Sequence, residues 1–310
     1  MWQQIINYIY RYPRKKLSEI HRFGGWNEWI GMNNGQRAMM AASKNLVVKP
    51  PAIAHATYPV YFLTGKKYWY QTVFCAYSLQ KQCEHVSFHF YIIDDGTFDD
   101  ELVQLCNMQL TNSTFASSHE IEYRIQSALP MAKYPFLNHK RLVYKHIRKL
   151  TDVHAGLSGY KLLLDSDMLF WGTPHLMLHW LSAPANPFFI IDSDTAYGYP
   201  LEYMNELCQE IVYPRLNVGA IGLSSSNIDF DKLEYWGKML EQKHGTSYYL
   251  EQALTAMLVG SKPCTIGSTE QYIVYPSAEE VHNPMAVLHH YVDVSKKYYY
   301  THAWRLAGIT

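Results

Sequence analysis

Between residues 58 and 164 the sequence changes its period repeatedly, and that alternation restricts the chain to one class of fold. "YPVYFLTG" is an apolar run closed by Gly65, and "KYWYQTVFCAYSLQKQ" continues at helical spacing through Trp69, Val73, Ala76 and Leu79. "HVSFHFYIIDDGT" predicts a second strand ending in Asp94-Asp95-Gly96. "DDELVQLCNMQL" opens with acids and continues apolar, as a helix N-terminus does, because carboxylates favour that end of the helix dipole. "EIEYRI" alternates and predicts a third strand; "NHKRLVYKHIRKL" predicts a helix with Leu142, His146 and Lys149 in register. The series closes on Leu162 to Leu164, a continuous apolar run expected of a strand buried on both faces. Strands alternating with helices predict an α/β fold with a mostly parallel sheet and right-handed crossovers.

That last strand runs straight into two carboxylates in "YKLLLDSDMLFW". Open α/β sheets bind ligands at the carboxyl ends of their strands, and Asp165 and Asp167 stand at such an end. Two like charges this close repel, and a divalent cation is the counter-charge that oxygen ligands favour. A second pair, Asp192-Ser193-Asp194, follows "FFII" and has the same pattern. It reads either as a solvated strand end or as a further part of the ligand site.

Residues 1–57 differ from the rest and form an N-terminal extension, partly helical. Trp2, Ile5, Ile6 and Ile9 make an apolar stripe before the basic Arg11, Arg14, Lys15 and Lys16. Such a stripe suits either an anionic membrane surface or packing on the domain. "GGWNEW" and "GMNNGQ" read as turns. In the second half, "RLNVGAIGLSSS" reads as a strand, while "DFDKLEYWGKMLEQK" and "YYLEQALTAMLVG" read as helices.

Lys plus Arg equal Asp plus Glu at 27 each, so no global basic field recruits nucleic acid. The five cysteines are an odd number, widely spaced and without a CxxC, which argues against a zinc ribbon and a disulfide framework. "MWQQIINYIY" lacks the order of a secretory signal, and the Asn112-Ser113-Thr114 sequon is expected to be incidental. A reducing, cytoplasmic location is expected, with the N-terminus as the one segment suited to the inner face of a membrane. The 26 tyrosines suit carbohydrate or nucleobase surfaces as well as an aromatic core.

Taken in order, "FLTG", "YIIDDGT", "KLLLDSDMLF", "LNVGAIGL", "YYLEQALTAML" and "VLHHYVDVSKK" resemble the GT-A-fold nucleotide-sugar glycosyltransferases, nearest the glycogenin and bacterial galactosyltransferase (family 8-like) type. The resemblance covers residues 58 to about 300. It implies a GT-A-like domain over 58–310, with a nucleotide-binding half (58–167) and an acceptor half (168–310). It also implies a UDP-sugar donor, a hydroxyl acceptor on a saccharide, glycolipid or protein, and Mn²⁺ or Mg²⁺. Surface polysaccharide or glycolipid synthesis is the setting it suggests.

The same resemblance assigns residues. Asp165 and Asp167 match the DxD element and, with a late histidine, would hold the metal. His289 and His290 both fit that histidine; strand parity sends them to opposite faces, and His290 is preferred. Asp94 and Asp95 match the acidic position that receives the nucleoside, with Phe62 and Thr64 on the opposite wall beside Gly65. Arg141 resembles a basic residue aimed at the donor, and Lys296 and Lys297 would neutralise the leaving diphosphate. The "HxxGxxKPW" pattern of the glycogenin type is not matched at that point. Asn217 and Gly219 fall beside the donor sugar, and Glu251 and Gln252 face the acceptor. Glu251 and Asp167 are the catalytic assignments. Glu251 serves as a base if the reaction inverts, and no such base is required if it retains. Two rivals are a non-catalytic sugar-binding module of the same shape and a haloacid-dehalogenase-type phosphatase.

Overall fold

A computed structural model describes residues 12–308. The apolar stripe of Trp2 to Ile9 and Arg11 lie outside the described residues. A seven-stranded sheet runs in the order β3-β2-β1-β4-β7-β6-β8. Its strands are β1 (Ala56–Thr64), β2 (Val86–Asp94), β3 (Ser113–Ala116), β4 (Tyr160–Leu164), β6 (Phe188–Ile191), β7 (Leu216–Ser224) and β8 (Thr265–Gly267). The β3-β2-β1-β4 half is parallel, and β7 lies antiparallel between β4 and β6. A second sheet joins β5 (Met168–Phe170), β10 (Leu288–His290) and β9 (Tyr272–Val274). The seven-stranded sheet takes strands from both halves of the chain, and the three-stranded one only from the second.

Strand parity sorts the core into two layers. Val60, Phe62, Phe90, Leu162 and Leu164 belong to one buried cluster, and Ile93, Leu163, Val218 and Ile221 to the other. Both faces of β4 are covered, which is why its sequence is an unbroken apolar run rather than an alternating one.

The helices are α1 (Tyr12–Arg22), α2 (Trp26–Ser43), α3 (Trp69–Lys81), α4 (Asp100–Gln109), α5 (Ser118–Ala128), α6 (Pro135–Val143) and α7 (Arg148–Thr151). Beyond β5 come α8 (His175–Ser182), α9 (Leu201–Cys208), α10 (Phe230–His244), α11 (Leu250–Val259) and α12 (Ala278–His282). Among the described residues no helix is long and apolar enough to cross a membrane. All five cysteines are unpaired.

Three local expectations fail, each for an identifiable reason. "EIEYRI" is the body of α5, not a strand: Ser117 and Glu120 form a capping box, and Ile121 and Ile125, one turn apart, are the buried pair. The third strand is the short Ser113–Ala116 before it. "GGWNEW" and "GMNNGQ" are mostly helical, since α2 runs through Gly31 and Gly35. The helix expected over "NHKRLVYKHIRKL" breaks at Tyr144, with a 3₁₀ turn over Lys145–Ile147 before α7.

Candidate active site

The parallel strands β1, β2 and β4 end at one edge, where Thr64 pairs with Asp94 and Leu164 gives way to Asp165. Asp165, Ser166 and Asp167 cross from the large sheet into the small one, and backbone hydrogen bonds fix both ends of the crossing. Asp165 N–H donates to the Gly219 carbonyl at 2.7 Å, and Tyr291 N–H donates to that of Asp167 at 2.8 Å. Ser166 continues a hydroxyl chain, 2.8 Å from Thr72, which is 2.7 Å from Thr64. The β10–β5 register sets His290 opposite Met168 and so beside Asp167.

His290 Nε2 lies 3.2 Å from Asp167 Oδ1 and 3.9 Å from Asp165 Oδ2. One donor atom from each of Asp165, Asp167 and His290 falls within 4.8 Å of the others. His289 faces away, its Nδ1 3.2 Å from the Tyr291 hydroxyl. Gly219 makes room for the imidazole: a Cβ there would lie 2.5 Å from His290 Nδ1 and 2.6 Å from Met168 Cε. Two carboxylates and one imidazole, converging from the joint between two sheets, fit a hard or borderline divalent cation such as Mg²⁺ or Mn²⁺.

Two lysines flank the group. Lys149 Nζ is 2.6 Å from Asp165 Oδ1, and Lys296 Nζ is 2.9 Å from Asp167 Oδ2. Burial works against the charge on Asp167, yet Lys296 and His290 hold its carboxyl well below the ordinary aspartate value. Lys296 is raised in turn, chiefly by Asp167. Burial opposes the charge on Lys149, but Asp165 and Glu251 outweigh it and hold its ammonium above the ordinary lysine value. Beside it, burial and then Lys149 push the His146 imidazole down.

Glu251 sits behind Lys149 at the start of α11, buried, with Thr255 donating to its Oε1 at 3.3 Å. Burial pushes its carboxyl from an ordinary 4.5 up to about 7; Lys149 pulls the other way, and Asp165 adds to the rise. Between those values the folded protein binds more protons than the unfolded chain, so this group makes stability fall as pH rises. In EDTA, Glu251→Gln is expected to remove that slope. By denaturant unfolding the variant matches wild type near pH 4 and gains on it towards pH 8, by on the order of 3 kcal/mol. Parallel curves across that range would show that Glu251 keeps an ordinary carboxyl.

A second network adjoins the first. Asp192 is buried, and its Oδ2 accepts from Asn217 Nδ2 at 2.8 Å and Gln252 Nε2 at 2.9 Å. Asn217 Oδ1 accepts from Gly219 N–H at 2.8 Å. The second DxD pair is thus no solvated strand end at Asp192, which orients the two amides and, through Asn217, the glycine beside His290. Asp194 only closes its own turn onto Thr195 N–H.

Other expected residues are placed elsewhere. Phe62 is fully buried and its ring packs towards Phe90, because β1 parity turns residue 62 into the core. Asp94 spends Oδ1 on the N–H groups of Gly96, Thr97 and Phe98, and Oδ2 on that of Ser118, so it anchors its own turn. Asp95 pairs with Lys145 at 3.2 Å and accepts from the Thr97 hydroxyl at 2.5 Å. A Cβ on Gly65 would overlap that carboxylate and hydroxyl, so the close approach the glycine permits is to them. Arg141 is buried against Asp152 at 2.6 Å and reaches Glu122 at 3.0 Å; it does not join the aspartates. Lys297 turns away from Asp167, over the Tyr298 ring. Lys149 takes the place expected of Arg141. Its only sequence signal is a basic residue in the segment before β4, and the break at Tyr144 decides which one faces the site.

No protein-family model matches the chain, and no curated protein matches it by sequence. Solved structures do. The bifunctional glycosyltransferase WbbM, in its apo form, superposes with a TM-score of 0.51 at 11% identity, covering 84% of this chain and 52% of that one. The galactosyltransferase LgtC, solved with donor and acceptor sugar analogues, gives 0.49 at 13% identity, covering 76% and 87%. Mouse xyloside xylosyltransferase 1 gives 0.48 at 11%, covering 78% and 93%. Seven strands ordered β3-β2-β1-β4-β7-β6-β8, with an antiparallel β7 in a mostly parallel sheet, together with the overlap on WbbM, give this chain a GT-A-like fold.

Proposed function

We propose that the chain is a metal-dependent glycosyltransferase that moves a sugar from a nucleotide-sugar, a UDP-sugar, to a hydroxyl acceptor. The observation that carries this reading is the convergence of Asp165, Asp167 and His290 between Lys149 and Lys296 at the carboxyl edge of the sheet. Three anionic or neutral ligands between two ammonium groups make a site for a cation that itself carries a polyanion. A bound Mn²⁺ or Mg²⁺ supplies charge stabilisation at the leaving diphosphate.

The remaining steps belong to the chain. Lys296 and Lys149 donate to phosphate oxygens as the bond from the anomeric carbon to the diphosphate breaks. Asn217 and Gln252, both oriented by Asp192, present amides to the sugar hydroxyls. The acceptor hydroxyl forms the new bond to the anomeric carbon. Its proton goes to Glu251 if configuration inverts, or to the departing phosphate if it is retained. A carboxyl with a pKa near 7 suits the first course, since it ionises at working pH and still accepts a proton.

Exposed Tyr248 and Tyr249, just before Glu251, give the acceptor side aromatic faces of the kind sugars pack on. A saccharide, free or on a lipid, is the acceptor this supports. The unpaired cysteines support a reducing, cytoplasmic setting. The GT-A-like fold supports sugar transfer over the phosphatase rival. Calorimetric titration of UDP tests the reading: binding with Mn²⁺ and none with EDTA supports it, and hydrolysis across a panel of UDP-sugars then identifies the donor. Silence towards every nucleoside diphosphate would favour the non-catalytic module.

A further inference from the structure

Helix α2 lies along the C-terminal segment that carries Lys296, and the contact is backbone against backbone. At Gly35 a Cβ would fall 2.7 Å from the Tyr300 carbonyl carbon and 3.3 Å from Thr301 Cα, and would overlap the Tyr300 carbonyl oxygen. Glycine weakens a helix interior, so its use here answers to the close approach. The next residue extends the join: Gln36 Nε2 donates to the Tyr70 hydroxyl at 2.8 Å. That hydroxyl is 3.2 Å from the Tyr300 hydroxyl, and Gln71 donates to both at 2.8 and 2.7 Å.

At the front of the segment Arg22 of α1 forms an ion pair with Asp293, a non-glycine residue at φ 51°. The 3₁₀ turn Asp293–Ser295 leads directly into Lys296. Behind Lys296 the chain widens into a π-turn over Tyr299–Ala303, a rare geometry that recurs at functional sites. The short segment bearing Lys296 is thus clamped in front by α1 and behind by α2.

We propose that α1 and α2 are a positioning element of the donor site: Gly35, Gln36 and Arg22 hold the Asp293–Ala303 segment where Lys296 reaches Asp167 and the leaving diphosphate. The inference rests on the donor reading above. None of the three residues touches reacting atoms; they act through Lys296, whose flexible four-carbon stem otherwise disperses its charge over many rotamers.

A double-mutant cycle on Mn²⁺-supported UDP binding tests this. Lys296→Ala is expected to weaken UDP about tenfold, the worth of one charge-assisted hydrogen bond. Gly35→Val should cost a similar factor, and the two together no more than Lys296→Ala alone. Arg22→Ala, an exposed change that leaves the fold intact, should weaken UDP about twofold to threefold by the same route, an effect that vanishes when Lys296 is already alanine. Losses that multiply, or wild-type affinity in folded Gly35→Val, would overturn the proposal. If wild type binds no nucleoside diphosphate, the donor reading fails by itself, and the coupling is read from Mn²⁺ alone. Lys296→Ala and Gly35→Val should then both tighten Mn²⁺, each taking a like charge off Asp167; an unchanged Mn²⁺ affinity in Gly35→Val would overturn it.

Discussion

Asp167→Ala is expected to abolish metal-supported UDP binding and to lower sugar transfer by about a thousandfold, since metal stabilisation of a leaving group is worth several kcal/mol and each 1.36 kcal/mol is tenfold. Asp167 is the carboxylate shared by His290 at 3.2 Å and Lys296 at 2.9 Å. Removing it takes away one metal ligand and leaves the Lys296 ammonium without its anion. Calorimetry with Mn²⁺ and UDP reads the first effect and product formation from a UDP-sugar the second, with a thermal melt to confirm folding. Asp165→Ala should follow the same course through Lys149. A folded Asp167→Ala protein that transfers sugar at the wild-type rate, or a wild type indifferent to EDTA, would refute the metal assignment.

The second large effect is on stability. Asp152 is fully buried and accepts from Arg141 Nε at 2.6 Å, from Arg141 Nη2 at 3.3 Å and from the Thr151 hydroxyl at 2.9 Å. Asp152→Ala leaves a buried guanidinium with only the half-exposed Glu122 as its carboxylate and is expected to cost about 3 kcal/mol. Urea unfolding measures the loss, and UDP titration of the protein that remains folded should give an affinity close to wild type. The double replacement Arg141→Met with Asp152→Leu should recover most of the stability, because apolar residues of similar volume replace a buried ion pair at little cost. If Arg141 instead serves the donor, Arg141→Met loses UDP affinity while the fold is hardly affected, and the double replacement does not restore binding.

These two predictions mark where the sequence was readable. The strand ending in Asp165 and Asp167 stands out because burial on both faces removes alternation, so carboxylates after such a run are conspicuous. Strand parity separates His289 from His290, since adjacent residues on a strand face opposite ways. Parity also turns the Phe62 ring into the core, although the resemblance set it on a pocket wall. Alternation misled at "EIEYRI", where Ile121 and Ile125 fit a helix as well as Ile121 and Tyr123 fit a strand. The capping box of Ser117 and Glu120 was the deciding local signal.

Lysines and arginines are harder to place, because a long flexible stem leaves the charged end free of the periodicity that locates its Cα. Arg141 and Lys149 share one apparent helix in sequence. The break at Tyr144 turns one towards Asp152 and the other towards Asp165. Lys296 and Lys297 are adjacent, yet one meets Asp167 and the other lies over the Tyr298 ring.

The sequence by itself determined the α/β class, the edge of the sheet at which chemistry collects and the pair of aspartates placed there, because periodicity and burial are local properties of the chain. Tertiary structure alone decided the rest. Docking β10 against β5 brought His290, more than a hundred residues away in sequence, to Asp167. Packing elsewhere turned Asp192, the first of the second aspartate pair, into an anchor for Asn217 and Gln252, and it set a glycine of a segment that reads as a turn against the backbone of Tyr300, close behind Lys296. Contacts between distant segments depend on which surfaces meet, and no local pattern records that.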